Sequence, residues 1–391
     1  MQILDRISAF HDEMTAWRQD LHAHPELGFE EHRTSEFVAR KLAEFGCTVH
    51  RNVGKTGVVG VLQTGNGPAI GLRADMDALP IEEATDLPYK SRHAGKMHAC
   101  GHDGHTTMLL GAARYLAETR NFDGTVHFIF QPAEEGLGGA KAMLGDRLFE
   151  RFPCDSVFGM HNTPGLPLGK FAIRPGPMMA GGAFFDIAVT GRGSHGARPE
   201  VGVDPVLAAC HITTALQAIV ARNISPTDAA VVSVTAIHAG DAYNVIPQAA
   251  VLRGTVRTFN SSTMKRIEEA MHRTVKGIAG GLGATAEVDF RALFAPLVNN
   301  PKETEFMADA ATDLVGKEHV DRNRSSVMAS EDFSFMLEAC PGAYVNIGNG
   351  DTEGSCPVHN PGYDFNDAAL PLGASLYAHV VEKKLPRLAK G

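Results

Sequence analysis

Two hydrophobic periods alternate along the chain. From Gly57 to Arg73 the β-branched runs GVVGVLQ and AIGLR flank a Gly65-Asn66-Gly67 turn, which predicts an early hairpin. The runs Thr125–Phe130, Ser156–Met160 and Tyr344–Gly348 are continuously apolar and separated by helical stretches such as Thr106–Glu118, the pattern of strands buried on both faces. After Pro175-Gly176-Pro177 the reading becomes strand Phe184–Thr190, helix Pro205–Ala221, strands Ala230–His238 and Ala250–Thr258, helix Thr263–Leu282 and strand Thr285–Phe290. This β-α-β-β-α-β order predicts a compact split sandwich. Asp204 before Pro205 is an N-cap signal, and Ser261-Ser262 precedes the second helix. Strand and helix patterning resumes beyond Asn300, so the sandwich reads as an insertion. The predicted fold is α/β: a mixed, largely parallel sheet flanked by helices over 1–180 and 293–391, interrupted by the sandwich over 181–292.

Composition narrows the class. The 391 residues, 44% apolar and 21% charged, fit roughly two globular domains of ~150–200 residues. A net charge of −9 and a pI near 6.0, with no basic run interleaved with aromatics, argue against nucleic acid as a partner. The first 13 residues carry Asp5, Arg6, Asp12 and Glu13, which predicts a helix start with no signal peptide or membrane anchor, and hence a cytoplasmic protein. The six cysteines lack the spacing of a disulfide framework and are expected to be buried thiols or ligands.

Candidate chemistry concentrates in MHACGHDGH, where Cys100, His98, His102 and His105 crowd within nine residues. Thiolate and imidazole suit zinc and its first-row neighbours, and Asp103 is placed to hydrogen-bond a ligand. On a locally extended segment Cys100 and His102 point the same way. Glu134 and Glu135 follow the strand ending at Phe130, at the carboxyl end where open α/β sheets form their sites. Adjacent carboxylates repel, so a bound cation would account for them; a solvated acidic turn is the plain alternative. One can ligate while the other serves as general base. His161 follows the next apolar strand, and His359 lies in the proline-bracketed loop CPVHNPGYDF. Each histidine taken alone reads equally well as a loop residue. Together Cys100, His102, Glu135, His161 and His359 are too many for one open tetrahedral zinc and suit a pair of metals.

With these residues in place, the chain resembles the M20 metallopeptidases, specifically the amidohydrolase subfamily of hippurate hydrolases, N-acyl-amino-acid amidohydrolases and auxin-conjugate hydrolases. The resemblance is nearly full length and runs through LHAHPELGFEE, LRADMDALP, MHACGHDGHT, QPAEEG, GMHN, GRGSHGARP, NVIP, SEDFSF and HNPGYDF. It implies that Cys100, His102, Glu135, His161 and His359 bind two divalent ions (zinc, manganese, nickel or cobalt) and that Glu134 is the catalytic acid/base. It implies further that the sandwich is a lid and dimerisation domain, giving a homodimer or dimer-based tetramer. His195 would then reach the partner subunit's site to stabilise the oxyanion, and Asn244 and Arg257 would hold the substrate carboxylate. Where the wider superfamily has His-x-Asp, this chain has Asp75-Met76-Asp77. The resemblance implies that the Cys100/His102 pair compensates, leaving Asp77 as an orienting carboxylate, with a strand-end cap as the alternative.

The implied activity is cleavage of small N-acyl amino acids to a carboxylic acid and a free amino acid. Rival readings are a dipeptidase or exopeptidase of the same superfamily, a catalytically silent metal-binding protein, and a Cys100 thiol nucleophile. Ser194-His195 lacks a third triad member and is not read as a serine nucleophile. HPELGFEE is read as a turn opening a helix at Glu30, with its histidines lining the cleft as the alternative, Ser330 as an N-cap, and Cys356 as a small buried side chain, with a ligand as the alternative.

Overall fold

The computed structural model describes residues 2–351 and 356–387. Two compact units divide them: one takes the chain up to Met178, Val298–Ser325 and the part from Asp332 on, the other Met179–Leu297 with Ser326–Glu331.

The first unit is built on an eight-stranded mixed sheet. Its first five strands are β1 (Thr48–Val53), β2 (Gly57–Thr64), β3 (Ala69–Asp75), β4 (Gly124–Gln131) and β5 (Ser156–Thr163), in the order β1-β2-β4-β3-β5, followed by Gly342–Gly348, Phe171–Ala172 and Val320–Asp321. The central run β4-β3-β5 and Gly342–Gly348 is parallel, and β2 pairs antiparallel with β1 and β4. Parallel strands need both faces covered, which is why Gly342–Gly348 is buried at every position. Helices His102–Thr119 and Leu370–Lys384 pack together, with Gly373 so close to Met108 that a Cβ there would lie 2.0 Å from its sulfur. Helix His102–Thr119 is accordingly buried almost all round, from His102 to Leu116.

The expected hairpin across Gly65-Asn66-Gly67 does not form. β4 lies between β2 and β3, pairing Val58 with Phe130 on one side and Leu72 with Phe128 on the other. The turn instead wraps the Asp123 carboxylate, which accepts the backbone N–H groups of Asn66 and Gly67 at 3.1 Å each. A buried strand offering two ladders outcompetes one local turn. Near the C-terminal end, helix Phe333–Ala339 starts after Asp332, so Ser330 is not its cap. The early helix begins at His32, not at Glu30; Glu31 precedes it without a side-chain cap bond, its carboxylate accepting the Ala133 N–H instead.

The second unit carries the β-α-β-β-α-β order. Its antiparallel sheet runs Ala230–His238, Ala249–Thr258, Gly181–Thr190, Thr285–Phe294, with helices Pro205–Asn223 and Ser261–Gly281. Alternate residues Phe185, Ile187 and Val189 meet Ile212, Leu216, Ile267 and Met271 in its core. Asp204 caps the first helix, accepting Val206 N–H at 2.8 Å, while Asn260 rather than a serine caps the second. Cys210 is exposed on the first of these helices, unlike the buried thiol expected there, and Cys356 is half-buried.

Candidate metal centre

Cys100 and His102 meet by a route other than an extended segment. Gly101 between them takes φ +94°, and His102 is the first residue of helix His102–Thr119. The left-handed turn at Gly101, in place of an extended segment, sets the two side chains within reach of one another. The Cys100 Sγ lies 3.3 Å from His161 Nε2. Cys100, His102 and His161 each offer a donor atom within 4.8 Å of the others, as do Cys100, Glu135 and His359, and likewise His102, Glu134 and Glu135. The five expected ligands are thus brought together, with Cys100 shared by two clusters.

Two donors inside this group are buried without a hydrogen-bond partner: His102 Nε2 and Glu135 Oε1. His359 Nε2 approaches Glu135 Oε1 to 3.2 Å, but not in hydrogen-bonding geometry. Orphaned buried polar atoms are costly, and a cation seated among them would remove the cost. The electrostatics agree. Burial, and then the carboxylates of Glu135, Glu134 and Asp75, push the Cys100 thiol well above its ordinary value. Burial alone lowers His102, yet Asp75, Asp77 and Glu135 outweigh it and raise the imidazole to about 10. Burial and neighbouring His105 hold His161 well below its usual value, keeping it a neutral donor. This set of sulfur, nitrogen and carboxylate donors in a field of surplus negative charge fits divalent metal.

Residues that sequence reasoning missed hold the donors in place. Ala133, just before Glu134, has φ +51°, a costly conformation for alanine. The buried Glu31 carboxylate accepts its N–H at 2.8 Å and the Thr56 hydroxyl at 2.5 Å, locking the turn. Glu134 accepts the Asp332 N–H at 3.3 Å. The Asp332 carboxylate takes Gln131 Nε2 at 2.6 Å and Ala140 N–H at 2.9 Å, binding the strand end to the turn that follows. Fully buried Arg73 donates to Asp75 and to Gln131. His359 also sits at φ +65°, its N–H bonded to the Ala99 carbonyl at 2.7 Å. Their only sequence signal is a charged or amide residue beside a strand end or ligand.

Asp77 Oδ1 lies 3.1 Å from His102 Nδ1, and its Oδ2 accepts the Glu135 N–H at 3.0 Å. Asp103 bonds no ligand: it turns away to His22 Nδ1 at 2.8 Å, within a buried group that includes Arg18. His105 is saturated between Asp75 and Asn162, and buried His98 joins none of the donor clusters among the described residues.

The remaining candidates belong to the second unit. His195 is exposed on a two-residue ribbon paired with Val245, its Nδ1 accepting the Ala197 N–H at 3.0 Å. Exposed Asn244 adjoins this ribbon through its carbonyl, which accepts Gly196 N–H. Half-buried Arg257 donates to the Val256 carbonyl and Thr255 hydroxyl and sits 5.7 Å from the Phe184 ring centroid. Among the described residues it has no carboxylate partner.

A donor set of this kind at the carboxyl ends of a largely parallel sheet defines a metal-dependent hydrolase. Residues 71–383 match the model of Peptidase family M20/M25/M40, and the chain belongs to that family. It is 46% identical over 386 residues to the hippurate hydrolase of Campylobacter jejuni, covering 98% of this chain and 100% of the relative. It is 40% identical to the N-acetylcysteine deacetylase of Bacillus subtilis, covering 95% and 97%. Among solved structures, the Bacillus subtilis YXEP protein, a dinuclear metal binding peptidase from the M20 family, superposes with a TM-score of 0.83 at 36% identity, covering 97% of this chain and 99% of that one.

Proposed function

We propose that this enzyme hydrolyses small N-acyl amino acids, of the hippurate or N-acetyl type, to a carboxylic acid and a free amino acid. The observation that carries the reading is the sharing of Cys100 between two donor clusters, one with His102 and His161 and one with Glu135 and His359, with a further carboxylate, Glu134, beside them in a cluster with His102 and Glu135. The names of the hippurate hydrolase and N-acetylcysteine deacetylase relatives support the substrate class.

In this reading the five donors hold two divalent ions, which supply Lewis-acid polarisation of the amide carbonyl and make water a nucleophile near neutral pH. Glu134 removes the proton from the attacking water as its oxygen bonds the carbonyl carbon, then delivers that proton to the amide nitrogen as the C–N bond breaks. Asp77 fixes the His102 ring. Arg257, a half-buried cation without a carboxylate partner, is available to the substrate carboxylate, with Asn244 beside it in role. His195 of a second subunit donates to the oxyanion.

The second unit, Met179–Leu297 with Ser326–Glu331, serves here as lid and dimerisation surface. Supporting this are the exposed Val231 and Ile237 on edge strand Ala230–His238, Val206 and Leu207 on helix Pro205–Asn223, and the fully exposed Tyr243. That helix is apolar enough to cross a membrane, but its inner face packs in the sandwich core, and a cytoplasmic dimer is the reading adopted. Sedimentation should show a dimer, and a fully active monomer would remove the shared-site role of His195.

The deciding experiment restores zinc, manganese, nickel or cobalt singly to apoprotein and screens hippurate, N-acetyl amino acids and free dipeptides. Turnover of the acylated substrates is expected. Turnover of dipeptides alone would make the enzyme a dipeptidase, and activity surviving metal removal but lost on alkylation would favour a Cys100 nucleophile.

A further inference from the structure

Asn162 is buried at the end of β5, one residue past His161, and every polar atom it owns is spent on the metal centre's framework. Its Nδ2 donates to the Cys100 carbonyl at 2.7 Å and to His105 Nε2 at 3.0 Å. Its backbone N–H also reaches His105 Nε2 at 3.0 Å. Its backbone carbonyl faces His161 Nδ1 at 2.5 Å, and its Oδ1 accepts the hydroxyl of fully buried Tyr363 at 2.8 Å.

These contacts fix three things at once. A carbonyl can only accept, so His161 Nδ1 must carry the proton, leaving Nε2 bare beside the Cys100 sulfur. His105 Nε2 receives two donors and must be the acceptor, so its Nδ1–H points at Asp75, 2.6 Å away. The bond to the Cys100 carbonyl ties the left-handed turn between the two adjacent donors to the strand bearing the third. The fit is tight: a Cβ on Gly101 would lie 2.3 Å from Asn162 Nδ2 and 2.5 Å from the Tyr363 hydroxyl.

The geometry points to Asn162, steadied by Tyr363, as the positioning residue that sets the thiolate turn and the His161 tautomer for metal. This rests on the proposed ligand set. It is not a catalytic residue, since it works through Cys100, His105 and His161.

The test uses cobalt(II) as probe on the full chain, comparing the parent with Asn162→Asp and Tyr363→Phe. The readouts are affinity, by competition with a chromogenic chelator, and the thiolate-to-cobalt charge-transfer band. In Asn162→Asp the donor to the Cys100 carbonyl becomes an acceptor. Affinity at one of the two ions should fall ~10–100-fold with a shifted or weakened thiolate band, as expected for loss of a residue orienting ligands. Tyr363→Phe, which keeps the ring and removes only the hydroxyl, should show a smaller change in the same direction. Folding is checked by far-UV circular dichroism, and Tyr363→Phe carries the test if Asn162→Asp does not fold. Parent-like affinity and band in a folded variant would overturn the positioning role alone. Absence of the band in the parent would overturn the Cys100 ligand reading and this inference with it.

Discussion

His102 Nδ1 and Asp77 Oδ1 stand 3.1 Å apart in a buried pocket, and that contact decides which ring nitrogen faces the candidate donor cluster. With Nδ1 turned to the carboxylate, Nε2 is the orphan. Asp77 also holds the Glu135 N–H, so one carboxylate orients two donors from segments 33 residues apart in sequence.

Asp77→Ala is therefore expected to lower divalent-metal affinity ~10–100-fold, the usual cost of losing a carboxylate behind a histidine ligand. Asp77→Asn, which keeps one acceptor, should fall between. Chelator competition measures both. Parent-like affinity in Asp77→Ala would return the residue to the role of a strand-end cap.

Glu134→Gln should retain the metal content of the parent while kcat drops ~10²–10⁴-fold, the contribution of a positioned general base. Metal analysis together with turnover separates this from a ligand, whose loss would empty the site. Near-parental turnover would sink the assignment.

Arg257→Lys keeps the charge and loses the planar fork. KM for an N-acyl amino acid should rise about tenfold, with kcat changed far less, if the guanidinium holds the substrate carboxylate. An amide substrate lacking that carboxylate should not distinguish the two proteins; equal KM for acid substrates would remove Arg257 from the site.

The buried His22–Asp103 pair predicts a pH dependence of stability. Burial lowers the His22 imidazole, but Asp103 and Glu83 outweigh it and raise it to about 9. Its contribution is thus whole below the unfolded value of about 6.5 and is lost as pH climbs through 9. Burial raises Asp103, but His22, His98 and Arg18 prevail and hold it well below the carboxylate range, so its share is lost only in acid. In urea unfolding, the stability gap between parent and His22→Gln should be widest near pH 5–6.5, at most about 3 kcal/mol, and should narrow by pH 9. A gap constant with pH would mean that folding leaves the His22 imidazole's affinity for its proton unchanged.

The candidate donors that the structure gathers were legible because soft side chains crowd into one short linear segment and the carboxylates sit at strand ends, both local signals. The sandwich was legible for a similar reason: Phe185, Ile187 and Val189 alternate cleanly, and Asp204-Pro205 announces a helix. What the linear chain concealed was long-range. Gly65-Asn66-Gly67 carries every mark of a hairpin, and only the arrival of β4 some fifty residues later decides otherwise. Glu31 serves a turn 102 residues away, and Asn162 is read only once the Cys100 carbonyl is known to face it. Asp103 shows the same blindness in reverse, since its place between two histidines suggests a ligand's partner while the fold gives it His22.

The strand order has a consequence for synthesis. β2 and β3 leave the ribosome with the place between them unfilled until β4 emerges, and β5, paired with β3 on one side, waits on the other for Gly342–Gly348, which follows the whole of the second unit. The second unit, nearly contiguous from Met179 to Leu297, can close its own sheet first. Once β4 and β5 have joined β2 and β3, the nascent chain still carries the open, strongly apolar far edge of β5 until Gly342–Gly348 emerges, and it is exposed to misassembly there over that whole interval.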